Sequence, residues 1–156
     1  MNTDTILGID PGTRFVGIAV MRSGTLVHYQ IRSFQGPWTH QKLKAIVLYL
    51  GATIARYGVT KIVVKVPDVF PTSRGYNQLI GSFNVFCSSK GLRPSYYTFS
   101  EITERQCGAG VHSRGALIQV IVRRHPELMP EYNKEKQNEN AHYYKVFYAV
   151  AAAHML

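Results

Sequence analysis

Acidic residues are scarce in this chain. Asp and Glu total 9 against 18 Lys and Arg in 156 residues, leaving a formal charge of +9 and a sequence pI near 9.7. A surface so short of carboxylates attracts polyanions, and nucleic acid leads that class. Many small basic proteins share such a balance, so the charge needs a fold behind it. Cysteine is scarcer still, with 2 in the chain, Cys87 and Cys107. Lacking paired spacing and accompanying histidines, they exclude a structural zinc site and read as free, buried thiols. No apolar run approaches the roughly 20 residues that span a bilayer. Met1-Asn2-Thr3-Asp4 is polar without a basic n-region, so no targeting or membrane segment is expected and a cytoplasmic location follows. Internal repeats and low-complexity tracts are missing too.

What remains is a chain of the size of one compact domain, 1–156, long enough to bury a real core. Its most informative stretch runs from Ile6 to Val20. Ile6-Leu7-Gly8-Ile9 is a short apolar run ending at Asp10, so a buried strand carries a carboxylate to its own C-terminal edge. Pro11-Gly12 breaks the strand, proline fixing φ and glycine free to take φ > 0, and Phe15 to Val20 returns as the second strand of a hairpin. Ser23-Gly24 turns the chain into a third strand, Leu26 to Phe34. Leu43, Ile46, Val47, Leu50 and Ile54 then recur at helical spacing, with Thr39 as cap and Gly58 as stop.

Lys61 to Val66 is short and β-branched, a buried strand lying parallel to the first through a helical crossover. A helix over Arg74 to Lys90, a strand over Ser95 to Phe99, a short helix over Glu101 to Cys107 and a helix opened by Ser113 and stopped by Pro126 follow. Residues 126–140 read as a polar connector of functional or mobile character, and Ala141 to Met155 as a last, alanine-rich helix that permits close approach to a sheet. The order β-β-β-α-β-α-β-α-α predicts a mixed α/β sheet, an antiparallel meander followed by parallel strands, with helices on its faces.

Ile6-Leu7-Gly8-Ile9-Asp10-Pro11-Gly12-Thr13-Arg14 with Val16-Gly17-Ile18-Ala19-Val20 resembles the opening of the RuvC family of Holliday-junction resolvases, in the RNase H-like superfamily. The likeness covers nearly the whole chain. Tyr97-Thr98-Phe99-Ser100 through Cys107-Gly108-Ala109-Gly110, with Ser113-Arg114, is similar to the family's strand, glycine turn and basic helix. Ala149-Val150-Ala151 resembles its final helix. The resemblance implies a five-stranded mixed sheet and a nuclease site of four carboxylates, one each on the first and fourth strands and two spaced by three on the last helix. Such a set holds two Mg²⁺ ions about 4 Å apart beside a phosphodiester.

The chain departs from that pattern. Asp10 matches the first carboxylate, but Lys65 stands where the fourth strand should carry Glu, and the nearest acid, Asp68, lies beyond Pro67. On the last helix, alignment on Ala149-Val150-Ala151 puts Lys145 and Tyr148 at the paired acids, whereas a shift of three puts His142 and Lys145 there. Both registers use Lys145. One aspartate facing two lysines is an untenable divalent-metal site and a stable ion-pair arrangement. The expectation is therefore no cofactor, with Lys65 and Lys145 projecting toward Asp10 in place of metals. Plainer roles are open for each: a turn cap for Asp10, an edge lysine for Lys65, a snorkelling lysine for Lys145 and an ordinary polar position for His142.

Arg14, Arg74, Arg114 and Lys90 are candidate phosphate contacts and Tyr76 a candidate for base stacking, against the bland account of a solvated surface and a tyrosine-rich core. Three functions compete. The first is a RuvC-like binder of branched or duplex DNA whose metal-dependent nuclease is impaired or lost. The second is an active Holliday-junction resolvase or structure-selective endodeoxyribonuclease, using Mg²⁺ or Mn²⁺ on Asp10 and on Asp68, Glu139 or Glu101. The third follows from Gly8-Ile9-Asp10-Pro11-Gly12-Thr13, which also resembles the first phosphate loop of actin-like ATPases; those proteins enclose nucleotide between two such domains, so this chain would be a fragment. DNA, including four-way junctions, is the expected partner and a membrane is not. Relatives in the family act as two-fold dimers, and the apolar helix faces permit a homodimer.

Overall fold

Side-chain alternation along the first strand, β1 (Thr5–Asp10), sorts the interior into two layers. Leu7 and Ile9 face one core; Ile6, Gly8 and Asp10 face the other. The structure, a computed structural model, describes residues 3–69, 72–137 and 142–156, and its strands form one five-stranded sheet of order β3-β2-β1-β4-β5. β2 (Phe15–Arg22) runs antiparallel to β1 and to β3 (Thr25–Ser33). β4 (Lys61–Val66) lies parallel to β1, and β5 (Ser95–Thr98) parallel to β4. Ser23 and Gly24 connect β2 to β3 with positive φ at both positions, 53° and 77°, the twist that suits a two-residue hairpin.

α1 (His40–Tyr57) and α2 (Arg74–Ser89) cover the face of Leu7 and Ile9. The expected ends hold. Thr39 accepts from the Lys42 amide, and Gly58 closes α1 at φ 61°. α3 (Phe99–Cys107) follows β5 at once, because Thr98 and Glu101 form a reciprocal capping box that starts the helix two residues earlier than Glu101 and shortens the expected strand. α4 (Arg114–Arg124) then packs with α6 (Tyr144–Ala153) over the second face.

α6 is buried at every position from Val146 to Ala153. A helix apolar on all sides belongs inside, and here it lies directly on β1 and β2. Two glycines make the approach feasible. A Cβ on Gly8 would sit 2.0 Å from the Ala149 carbonyl oxygen, and one on Gly17 would sit 2.5 Å from the Lys145 carbonyl oxygen. Gly17 is also the register partner of Asp10. The same close contact that packs the core therefore sets Lys145 against the strand pair that carries Asp10.

Three expectations need correction. Gly12 has no positive φ, unlike Gly24, Gly36, Gly58, Gly91, Gly108 and Gly110. It is needed for room instead, since a Cβ there would lie 2.5 Å from the Phe15 carbonyl oxygen and 3.4 Å from Lys145 Nζ. The connector expected at 126–140 is mostly helical: a 3₁₀ turn, Pro126–Leu128, leads into α5 (Met129–Gln137), and 138–140 lie outside the described residues. Its polar composition hides the helix, because the anchoring falls on buried Leu128 and on the edge of Tyr132 against Phe147. The last helix starts at Tyr144, and Ala141 lies outside the described residues. Cys87 is buried and Cys107 half-buried. Among the described residues no helix is long and apolar enough to cross a membrane.

Two outcomes follow for stability. Gly17→Ala should cost about 1–3 kcal/mol through overpacking against α6, read as a lower denaturant midpoint with little change in m. The second concerns His125 and His154, whose Nε2 atoms lie 2.7 Å apart, one ring donating and the other accepting. Burial, then the charges of His125 and Arg124, push the His154 pKa from 6.5 down to about 4. Between those values the unfolded chain binds a proton that the folded chain refuses, so stability should fall as pH drops from 6.5 toward 4. Denaturation above and within that window, with His154→Asn flattening the difference, is the check.

Candidate functional site

Asp10 is 2 % exposed and ends β1 on the α6 side of the sheet. The register Ile9↔Val64 brings the next residues, Asp10 and Lys65, side by side on parallel strands, and alternation points both to the same face. Lys65 Nζ lies 3.6 Å from Asp10 Oδ1, and Lys145 Nζ, from the first turn of α6, lies 3.2 Å from Oδ2. The lysine side chains are themselves only 18 % and 11 % exposed.

Neither contact is an aligned hydrogen bond. Lys65 is beyond hydrogen-bond reach, and Oδ2 has no hydrogen-bond partner although Lys145 stands at ion-pair distance. The attraction is Coulombic, on the order of 4 kcal/mol per pair at 4 Å in an effective dielectric near 20. That magnitude matters, since a buried carboxylate without a counter-charge would be strongly penalised. Two ammonium groups against one carboxylate leave the trio at a net charge of +1.

Aromatic rings wall the trio. Tyr148 is buried, its hydroxyl accepts from Arg114 Nε at 3.0 Å, and Lys65 Nζ lies 5.1 Å from its ring centre. Burial pushes the Tyr148 phenol up to about 12 despite the adjacent Arg114 guanidinium. Tyr144, one turn earlier, packs 5.2 Å from the Tyr148 ring and lies under the guanidinium of Arg114 at 4.1 Å. Lys145 and Tyr148 share one face of α6. His142 precedes the helix and stacks on Phe15 at 3.7 Å, with Arg14 5.5 Å from the centre of that same Phe15 ring. Burial, then the charges of Lys145 and Arg14, hold His142 below the ordinary histidine range.

The remaining candidates divide. Arg14, Arg74 and Arg114 are exposed, Arg114 being also pinned by its tyrosines. Tyr76, in the first turn of α2, buries its hydroxyl without a hydrogen-bond partner; burial, then the charge of Asp10 and the phenol of Tyr96, raise its pKa. It lines a cleft of about 310 Å³ with Val66, Pro67, Ile80 and Tyr96, so it is part of a half-buried wall and not an open stacking platform. Lys90 follows the last residue of α2, a 16-residue helix, and lies roughly 24 Å along its axis from Arg74. It is not gathered with the others.

The acids expected in a metal-bearing alternative have other tasks. Asp68 accepts from the Ser100 amide at 3.0 Å, at the start of α3. Burial raises its pKa, but hydrogen bonds from Ser100 and Thr98 and the charge of Lys65 outweigh that, and the net direction is down. Glu101 accepts from the Thr98 amide at 2.9 Å in the capping box, and Glu139 lies outside the described residues. Among the described residues no group of three or more Asp, Glu, His or Cys is placed to hold a metal. The donors around Asp10 do not fit a divalent cation, which needs oxygen ligands where this pocket presents two ammonium groups.

Sequence reasoning missed Phe15, Tyr144 and Gly17 as builders of the site. The signal for Gly17 was present, because a glycine inside a strand marks close backbone approach; the two rings had none beyond their proximity in sequence to Arg14 and Lys145.

No family model and no curated protein matches the chain in sequence. Among solved structures, Thermus thermophilus RuvC in complex with a Holliday junction substrate superposes with a TM-score of 0.75 at 14 % identity, covering 96 % of this chain and 90 % of that one. A second structure of Thermus thermophilus RuvC gives 0.72 at 15 % identity with the same coverage of both chains, 96 % and 90 %. Identities of that size speak for the fold. The chain has the five-stranded, mixed α/β fold of RuvC, of RNase H-like architecture, with helices on both sides of the sheet.

Proposed function

We propose that this chain is a RuvC-like protein that binds branched or duplex DNA and does not carry out metal-dependent cleavage. The observation behind this reading is the pair of lysine ammonium groups, 3.6 and 3.2 Å from the two oxygens of Asp10, where the family resemblance implies further carboxylates. A divalent ion brought there would meet two positive charges and one carboxylate, so repulsion exceeds ligation. The excess of Lys and Arg, 18 against 9 acids, and the exposed Arg14, Arg74 and Arg114 supply a surface for phosphates. A two-fold dimer would match the symmetry of a four-way junction.

The test is a synthetic four-way junction and the corresponding duplex, assayed for binding and for cleavage with Mg²⁺ and with Mn²⁺. Binding that weakens steeply with salt and leaves the strands intact is the expected result. Strand cleavage that survives purification and disappears in Asp10→Asn would overturn the proposal. Stability gives a second, independent sign. In a cluster of carboxylates, neutralising one relieves repulsion and stabilises the metal-free protein. Here Asp10→Asn removes the shared counter-charge of two lysines, and the denaturant midpoint should drop. The cost should stay below the roughly 3–5 kcal/mol of a fully buried broken pair, because both lysines retain some exposure.

A further inference from the structure

We infer that the flank formed by β3 and α1, on the sheet face opposite Asp10, is a second nucleic-acid contact in which Arg32 and Arg56 each hold one backbone phosphate. The inference rests on the DNA-binding reading and adds a surface to it. The sequence has no Asp or Glu between Asp10 and Asp68, a span that contains β2, β3, α1 and β4 whole. Arg32 and Arg56 are exposed, and among the described residues their side chains make no hydrogen bond and no ion pair; their partners are aromatic rings.

Strand register assembles the flank. His28, Gln30 and Arg32 pair with Val20, Ile18 and Val16, which belong to the core under α1, so all three point to the α1 side of the sheet. On α1, Tyr49, Thr53 and Tyr57 recur at every fourth residue and form one ridge. Strand and ridge meet at two places. At the first, the Arg32 guanidinium lies 4.8 Å from the Tyr49 ring centre and 5.1 Å from that of Phe34, and the Tyr49 hydroxyl donates to Gln30 at 2.7 Å. At the second, His28 stacks on Tyr57 at 5.1 Å, with the Arg56 guanidinium 5.4 Å from the same ring. The two places are about 13 Å apart along β3, at about 3.3 Å per residue, and about 12 Å apart along α1, at about 1.5 Å per residue. Guanidiniums held at that separation reach two phosphates and do not share one.

The chemistry favours phosphate. A guanidinium supported on a ring keeps its in-plane N–H groups for a bidentate acceptor, and the ring limits the rotamer freedom lost on binding. Arg22 braces the second place, donating from Nε to the Thr5 hydroxyl at 3.0 Å and from Nη2 to the Tyr57 carbonyl at 2.9 Å. His28 adds no charge at neutral pH, because burial, then the charge of Arg56, lower its pKa. Asp4, next to Thr5, is already paired with Lys61 at 3.1 Å and accepts from Thr60. Arg22, Arg32 and Arg56 therefore bring +3 with no carboxylate between them.

The experiment measures affinity of the full chain for a labelled four-way junction and a duplex against salt concentration in EDTA. Arg32→Gln/Arg56→Gln should lower the slope of log K against log salt by about 2, roughly 0.9 for each phosphate released, with about a tenfold loss of affinity at moderate salt. Arg32→Lys/Arg56→Lys keeps the charge, guards against misfolding as an explanation and should retain most of the slope. Arg93→Gln, exposed before β5 at the opposite edge of the sheet, should leave the affinity within about twofold. Adding Arg114→Gln, on the α6 side, should cost an amount that sums with the flank loss in log K, because the two faces act independently. A parental slope in the glutamine double variant, a loss from Arg93→Gln equal to that from a flank arginine, or a loss from Arg114→Gln that fails to add, overturns the second contact while the DNA-binding reading stands. Polyglutamate that displaces the junction from the parent but not from the double variant assigns the flank to an acidic protein and overturns the nucleic-acid occupant. Failure of the parent protein to bind junction or duplex overturns the DNA-binding reading, and the flank assignment falls with it.

Discussion

One buried carboxylate governs the organisation of this molecule. Asp10 sits at the end of a central strand with almost no solvent, and its charge is tolerable because two ammonium groups reach it from different elements. Lys65 comes along the neighbouring parallel strand and Lys145 from the helix laid across the sheet. The ion pairs thus link β1, β4 and α6, the elements that packing already brings together. Removing the acid leaves two cations facing each other; removing either lysine leaves a single one-to-one ion pair.

The close packing of α6 is what makes the electrostatics work. Alanines on the helix and glycines on the strands let backbones meet at distances that any Cβ at Gly8 or Gly17 would forbid. With a bulkier interface, Lys145 would ride farther from the sheet and its ammonium would meet water before it met Asp10. Tyr144 and Tyr148 then offer the cations ring faces, while Phe15 packs on His142 and under Arg14 at the edge of the site. Core packing, charge pairing and the shape of the site are in this sense one arrangement.

Much of the fold was legible in the sequence, for identifiable reasons. β-branched runs, the Ser23-Gly24 turn and the Thr39 and Gly58 helix signals are local, and local chemistry decides them. Two segments were not. The helix at 129–137 has no apolar stripe to announce it, and Thr98 with Glu101 start α3 through hydrogen bonds that apolar spacing does not reveal. Gly12 shows the same limit from another side: a Pro-Gly turn suggests a left-handed glycine, yet the demand on this residue is space beside the Phe15 carbonyl and Lys145.

For the site, the residue identities supply the inventory: one aspartate at a strand end, lysines where acids would be expected, and a strongly basic chain to carry them. Residue identity and local periodicity are enough for that. The folded arrangement settles which of these residues meet. It joined Lys65, Lys145 and Tyr148 around Asp10, set His142 on Phe15, left Lys90 at the far end of α2 and spent Asp68 and Glu101 on opening α3. Those outcomes depend on strand register and on how closely a helix approaches a sheet, both of which are properties of contacts between segments distant in the chain.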